Sequence, residues 1–200
     1  MDTIISHIIP QQNFEKVGEQ IGAILTVELE AQKTNQGFLD DVKVFQERMD
    51  PPNTEEELIV NVLYNGTNNA DDSQSRTAGT ATYYVDVYST GKASNSTPGD
   101  LASNRRCNKF LGMIRYILSF TGYKTLGFLP GFIAGVSLDN IQKMAPETID
   151  ASYTTMGRIT VSVRMTEGQE LETGSVISEI LTSVKLELTE QGYQYKQVIL

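Results

Sequence analysis

The sequence contains few of the residues that carry chemistry in most enzymes. Its 200 residues include one histidine, His7, and one cysteine, Cys107. A single cysteine excludes an internal disulfide framework, and a reducing compartment is the simple inference. A single histidine excludes a histidine-rich metal site and an HExxH motif, and a Ser-His-Asp triad would need His7. Cys107 falls on the apolar stripe of a predicted helix, which favours a packed thiol over a nucleophile.

Signals for nucleotide binding and membrane targeting are also missing. The glycines at positions 122, 127, 131 and 135 match neither a P-loop nor a GxGxxG motif, and we interpret them as a helix end and tight turns. The opening stretch MDTIISHIIP is short and lacks a basic flank, which predicts that it is not a signal peptide. The apolar region 116–138 is divided by Lys124, Pro130 and these glycines, so we expect no membrane partner.

Two acidic pairs are the remaining candidates for chemistry. Asp40-Asp41 and Asp71-Asp72 could bind a divalent cation or act in acid–base catalysis. However, adjacent residues on a strand or helix point apart, and both pairs lie in predicted loops, where acidic residues are common. We therefore expect no catalytic residue, no metal and no cofactor. A small hydrolase or nuclease that uses these pairs is the enzymatic alternative.

Charge is distributed unevenly along a chain whose net charge is −9. Residues 1–75 carry 14 acidic and 4 basic side chains, residues 76–166 carry 5 and 10, and residues 167–200 carry 6 and 2. An acidic chain is a poor candidate for sequence-independent DNA binding, which requires a basic surface. Oppositely charged parts favour contacts between copies of the chain. A solvated surface with local bias is the alternative interpretation.

The main basic cluster lies on one predicted helix, residues 98–120. Its apolar stripe includes Phe110, and four basic residues fall largely off that stripe: Arg105, Arg106, Lys109 and Arg115. We expect this face to contact the acidic N-terminal third of another copy. A nucleic-acid groove is the weaker alternative, because Phe110 and Tyr116 are the only interleaved aromatic residues and Phe110 faces the core.

Periodicity predicts an α+β fold in which a mostly antiparallel sheet packs against two main helices. Helices are predicted at residues 13–32 and 98–120, the second opened by a capping box at Thr97-Pro98-Gly99-Asp100. Strands are predicted at residues 42–48, 58–64, 80–88, 132–138 and 153–166, with a connection at 139–149. Residues 1–166 would form one domain. Residues 167–200 would form a C-terminal extension, packed on that domain or on a neighbour, with a short helix or strand at 176–184 and a final strand or hairpin.

A long polar arm, residues 65–80, separates two of these strands. It consists of Gly, Asn, Asp, Ser, Thr and Ala with one Gln and one Arg, and it has no hydrophobic residue large enough to anchor in a core. Ordinary hairpins close in about two to five residues, so we predict a long, mobile loop that becomes ordered against a partner. The candidate interface residues of this polar arm are Asn65, Gly66, Asn68, Asn69, Asp71, Asp72, Arg76 and Gly79. A tolerated surface insertion is the alternative.

The order of elements resembles a family of viral structural proteins. An amphipathic helix leads to the strand ELIVNVLYNG, the polar arm and the strand TATYYVDVYSTGK. The helix GDLASNRRCNKFLGMIRYILS and the strand TMGRITVSVRMTE follow. This pattern resembles the tail terminator (tail completion) proteins of long-tailed bacteriophages, the group of minor tail protein U, over residues 12–166. The resemblance depends on element order rather than an invariant motif, and residues 167–200 extend beyond the family pattern.

The resemblance implies a structural role in the virion. Six copies of a tail terminator form a ring that caps the tail tube, ends its polymerisation and presents a surface to the head or neck connector. The implied partners are therefore the chain itself, the tube protein, the connector and, for a contractile tail, the sheath. DNA would only pass through the lumen, and assembly would take place in the host cytoplasm. Another neck, head-completion or baseplate component is the structural alternative.

Overall fold

The computed structural model describes residues 8–49, 56–73, 76–93, 97–129, 131–149, 152–167, 179–184 and 193–198. The elements in chain order are α1 (Asn13–Gln36), β1 (Lys43–Gln46), β2 (Leu58–Ser73), β3 (Arg76–Gly91), α2 (Gly99–Ser119), a 3₁₀ turn (Thr121–Tyr123), β4 (Ile133–Ile149), β5 (Ser152–Glu167), β6 (Glu179–Val184) and β7 (Tyr193–Val198). The predicted α+β fold is confirmed.

Packing divides the chain into two units, Met1–Glu167 and Gly168–Leu200. The first unit contains a five-stranded sheet in the order β1-β2-β3-β5-β4. β1 pairs with β2 in parallel, and the other neighbouring strands of this sheet are antiparallel. In the second unit, β6 and β7 form an antiparallel pair.

The two helices cover one face of the five-stranded sheet. Alternate residues of β3 and β5 point toward the helices because side chains of a strand alternate between faces. The helices contribute apolar stripes that include Ile21 and Leu25 from α1 and Phe110 and Ile114 from α2. The sheet contributes a fully buried set that the periodicity predicted: Tyr83, Val85, Val87, Ile159, Val161 and Val163.

Close approaches between elements explain two glycines in this core. A Cβ on Gly157 of β5 would overlap the side chain of Leu111 on α2, so glycine lets the helix lie directly on the strand. Gly91, the last residue of β3, approaches the backbone of Gly99, the first residue of α2. The expected capping box at Thr97 is wrong: Pro98 is the N-cap, and it makes no side-chain capping hydrogen bond.

Four strands are long, and this corrects two sequence-based predictions. Residues 65–79 were predicted as loop and residues 139–149 as connection, but β2 continues to Ser73, β3 begins at Arg76 and β4 continues to Ile149. The physical reason is backbone pairing, which requires no particular side chain. β3 lies between β2 and β5, and β5 lies between β3 and β4. The two central strands therefore offer a hydrogen-bonding partner along nearly their whole length.

The helices end close to the predicted positions. α1 continues one turn beyond residue 32, and its C-cap Gly37 adopts a left-handed φ of 64° while its amide donates to the Lys33 carbonyl. At the other end, the Gln12 amide donates to the Glu15 carboxylate at 2.7 Å, which satisfies one of the free N–H groups there. α2 ends at Ser119, before Gly122, which was predicted to end it.

Candidate functional site

The single cysteine does not offer a reactive nucleophile in this structure. Cys107 is fully buried on α2, and its Sγ lies 3.9 Å from the Val87 carbonyl oxygen. Burial raises the pKa of the Cys107 thiol to about 11, so the thiol stays protonated near neutral pH. The predicted packing role of Cys107 agrees with this position. His7 lies outside the described residues.

The carboxylates of the Asp40-Asp41 pair bind two different basic side chains. Asp40 accepts from Arg106, with 2.8 Å between Oδ1 and Nε, and Asp41 lies 3.6 Å from the Lys33 ammonium. Asp71 and Asp72 belong to β2 instead of a loop. Among the described residues no three His, Cys, Asp or Glu side chains are grouped so that they could hold a metal ion.

The four basic residues predicted on one face of α2 fall into two groups according to their contacts. Arg105 and Arg115 are exposed. Arg106 instead binds within its own chain: it pairs with Asp40, lies 3.8 Å from Glu57 and donates to the Thr90 carbonyl at 2.9 Å. Lys109 lies 4.2 Å above the Phe38 ring, a cation–π contact. Part of the charge complementarity expected between copies is thus used inside one copy, while Arg105 and Arg115 remain available to a partner.

The polar arm is a β-hairpin rather than a loop. Its predicted interface residues lie in register across two strands: Asn68 opposite Thr80, Asn69 opposite Gly79, Asp71 opposite Ala78, Asp72 opposite Thr77, and Arg76 opposite Ser73. The register shifts at Asn65 and at Ala70, and such bulges increase twist and redirect a strand. Gly66 follows the first bulge with φ at 134°, a backbone conformation that favours glycine.

The outer edge of the polar arm lacks a strand partner among the described residues. β1 pairs with β2 only from Ile59 to Val62. Glu47 then binds the next free backbone groups along the edge of β2. Its amide donates to the Val62 carbonyl, and its carboxylate accepts from the Tyr64 amide. Beyond Tyr64 no other strand of the five-stranded sheet pairs with β2 on that side. An edge of this kind presents backbone N–H and C=O groups to another chain.

An ion pair with a buried carboxylate stabilises the sheet face opposite the helices. Asp86 of β3 is fully buried, and Arg158 of β5 donates to both of its carboxylate oxygens at 2.7 Å. The Arg158 guanidinium lies 4.1 Å above the Tyr84 ring. The hydrogen bond to Asp86 raises the pKa of Arg158. Sequence reasoning did not single out this pair, although opposite charges on the outward positions of two predicted strands were a usable signal.

A second feature that sequence reasoning missed is a groove of about 530 Å³ between the later turns of α1 and α2. One wall is polar, with Glu28, Gln32 and Gln36 on α1. The other wall and the floor are formed mainly by apolar side chains together with Gly112: Met113, Tyr116, Ile117, Phe120 and Tyr123. Tyr116 and Phe120 are 76% and 53% exposed. The Tyr123 hydroxyl donates to the Glu28 carboxylate and closes one end. We call this surface the helix groove.

Comparisons with known proteins give no assignment. No protein-family model matches the chain, and no curated protein matches it significantly. Neither described helix is both long enough and apolar enough to span a membrane.

Proposed function

We propose that the chain is a structural protein that assembles with its own copies into a ring, like the phage tail terminators that its element order resembles. The ring would contain six copies, cap a tail tube, end its polymerisation and receive the head or neck connector. The proposal assigns no catalytic role to any residue. Its partners are other copies of the chain, the tube protein and the connector, and its location is the neck of the virion.

The single observation that carries this proposal is the polar arm. It extends the sheet with a paired hairpin, and its outer edge beyond Tyr64 has no strand partner among the residues described. Large apolar side chains are absent from its sequence, so a neighbouring chain could approach its backbone closely. Monomeric proteins usually shorten or protect an edge strand of this length, because an exposed edge promotes association with other chains.

The distribution of charge supports a repeated contact between different surfaces. Arg105 and Arg115 are exposed on α2, whereas the excess of acidic over basic residues lies mainly in the first 75 positions. A contact between two different patches is heterologous, and such contacts generate closed rings when the rotation between copies closes. Because Arg106 is already paired with Asp40, Arg105 and Arg115 are the basic residues expected to contribute between copies.

The experiment that tests the proposal shortens the polar arm without breaking its register. Asn68 and Thr80 are paired in the ladder, so residues 69–79 can be replaced by Asn-Gly, which favours a two-residue turn. The matched control shortens the hairpin at the opposite end of the sheet. There, residues 149–152 are replaced by Asn-Gly between Thr148 and Tyr153, which are also paired.

Both variants should fold, as judged by far-UV circular dichroism and a cooperative unfolding transition. The arm-shortened variant should fail to bind tail tubes, and tubes grown with it should lose their fixed length. The control variant should bind tubes like the natural protein. Normal tube capping by the arm-shortened variant would contradict the proposal.

A further inference from the structure

We propose that the two outer edges of the five-stranded sheet meet between copies, so that the β4 side of one copy docks into an acidic cleft beside β1 of the next. This inference rests on the self-association of the proposed function and names the two surfaces that touch. Both surfaces lie outside the polar arm.

The first surface is a cleft of about 290 Å³ between the start of α1 and the strands β1 and β2. We call it the edge cleft. Its apolar part includes Phe14 and Tyr64, whose rings stack with 4.6 Å between their centroids. Three carboxylates line it, those of Glu15, Glu19 and Glu47, and among the described residues no basic side chain does. These carboxylates accept hydrogen bonds from uncharged amide groups, which leave their negative charge in place.

The second surface, at the opposite edge of the sheet, is apolar and basic. No other strand of the five-stranded sheet pairs with β4 on its outer side. Ile141 of β4 is 43% exposed, and the exposed Lys143 donates to Asn108 of α2 at 3.1 Å. Arg115 is exposed and lies two turns after Asn108, on the same side of the helix. The acidic Asp139 of β4 instead accepts from two serines, one of them on the outward face of β5.

One row of paired residues crosses all five strands and ends at these two surfaces: Gln46, Val62, Val85, Ile159 and Ile141. Gln46 and Val62 line the edge cleft. Neighbouring strands lie about 4.8 Å apart, so the four spacings of the row place Ile141 roughly 19 Å from β1. Ile141 therefore lies at the same height along the strands as the edge cleft, but it cannot reach the cleft of its own copy.

Charge selects a contact between different edges of two copies. Pairing two β4 edges would bring Lys143 and Arg115 against the same residues, and pairing two clefts would bring carboxylates together; like charges in contact are unfavourable. When the β4 edge meets the cleft, Ile141 faces the apolar part and the basic residues face the carboxylates. Such a contact is heterologous, and it closes a ring when repeated around an axis.

Disulfide trapping between two full-length variants tests this contact. One variant carries Gln11→Cys in the edge cleft, and the other carries Ile141→Cys. They are mixed under mild oxidation, and a tag on one chain separates the mixed dimer from homodimers on non-reducing gels. The matched control replaces Ile141→Cys with Thr34→Cys, an exposed position near the end of α1. The native Cys107 is buried and contributes little background.

The Gln11→Cys and Ile141→Cys pair should cross-link at least about tenfold faster than the control pair, because docking raises the local thiol concentration toward the order of mM. Adding Glu19→Lys to the first chain, or Lys143→Glu to the second, should slow trapping at least about fivefold, since like charges then face each other. The two reversals together should restore the rate.

Equal rates for the trapping and control pairs would overturn the proposal. So would two charge reversals that each slow trapping but do not compensate each other. If Ile141→Cys does not fold, as judged by circular dichroism, Asn108→Cys takes its place with the same expectations, because Asn108 is exposed beside Lys143.

The trapping experiment separates this inference from the proposed function. It uses no tail tubes, and the arm-shortened variant should cross-link as fast as the natural chain. A natural chain that traps normally but does not cap tubes would contradict the tail-terminator function and leave the contact between copies. Failed trapping with normal tube capping would overturn this contact and leave the ring.

Discussion

The ion pair between the buried Asp86 and the half-buried Arg158 gives a quantitative test of the fold. Replacing Arg158→Ala removes two hydrogen bonds of 2.7 Å from a carboxylate that is fully buried. The Arg158 side chain that covers this carboxylate is itself 23% exposed, so its removal admits some water to Asp86. Removing one partner of a fully buried pair typically costs about 3–5 kcal/mol, and we expect a loss at the lower end of that range, about 3 kcal/mol.

The assay is chemical and thermal unfolding followed by circular dichroism at 222 nm. Both described α-helices belong to the unit Met1–Glu167, so this signal reports on the sheet that contains the pair. For a domain of this size, 1 kcal/mol corresponds to roughly 2–4 °C in Tm, and Arg158→Ala should lower Tm by about 10 °C.

A matched control is available on the same strand and the same sheet face. Arg164 is exposed, and surface substitutions usually change stability by less than about 0.5 kcal/mol. The double variant Asp86→Leu with Arg158→Met should recover much of the loss, because it leaves no unpaired charge. A loss for Arg158→Ala no larger than for Arg164→Ala would refute this account of the pair.

Three further predictions concern Cys107 and the glycines. With a thiol pKa of about 11, Cys107 should react with iodoacetamide at pH 8 at least about 100-fold more slowly in the folded than in the unfolded protein; equal rates would contradict its burial. Because folding raises this pKa, stability should be lost as the pH rises from about 9 through about 11. Gly157→Ala should destabilise the protein by about 1–3 kcal/mol, because the added methyl group overlaps Leu111. Gly112→Ala should stabilise the monomer by about 0.4–1 kcal/mol. Unfolding titrations in which Gly112→Ala is the less stable of the two variants would show that the contacts of these glycines are misassigned.

Alternation of side chains made the core predictable. The inward set Tyr83, Val85 and Val87 and the matching residues of β5 follow the period of two that a half-buried strand requires. The apolar stripes of α1 and α2 follow the helical period in the same way. The physical cause of each pattern is local, because burial of one face requires apolar residues at fixed spacing.

The polar arm and the second half of β4 were not predictable by the same means. Residues 65–73 contain three Asn, two Asp, one Gly and one Ala, residue types that have low strand propensity, and the segment shows no alternation of apolar and polar side chains. Their strand structure comes from pairing with β3, which is itself paired with β5. Likewise, the helix groove depends on how α1 and α2 diverge, and neither helix sequence indicates that by itself.

The measurement that tests the central claim most directly is electron microscopy of the purified protein mixed with tail tubes. The proposed function predicts a ring of copies at one end of each tube, and sixfold symmetry is expected from the resemblance. Tubes with bare ends beside a protein that stays monomeric would contradict it.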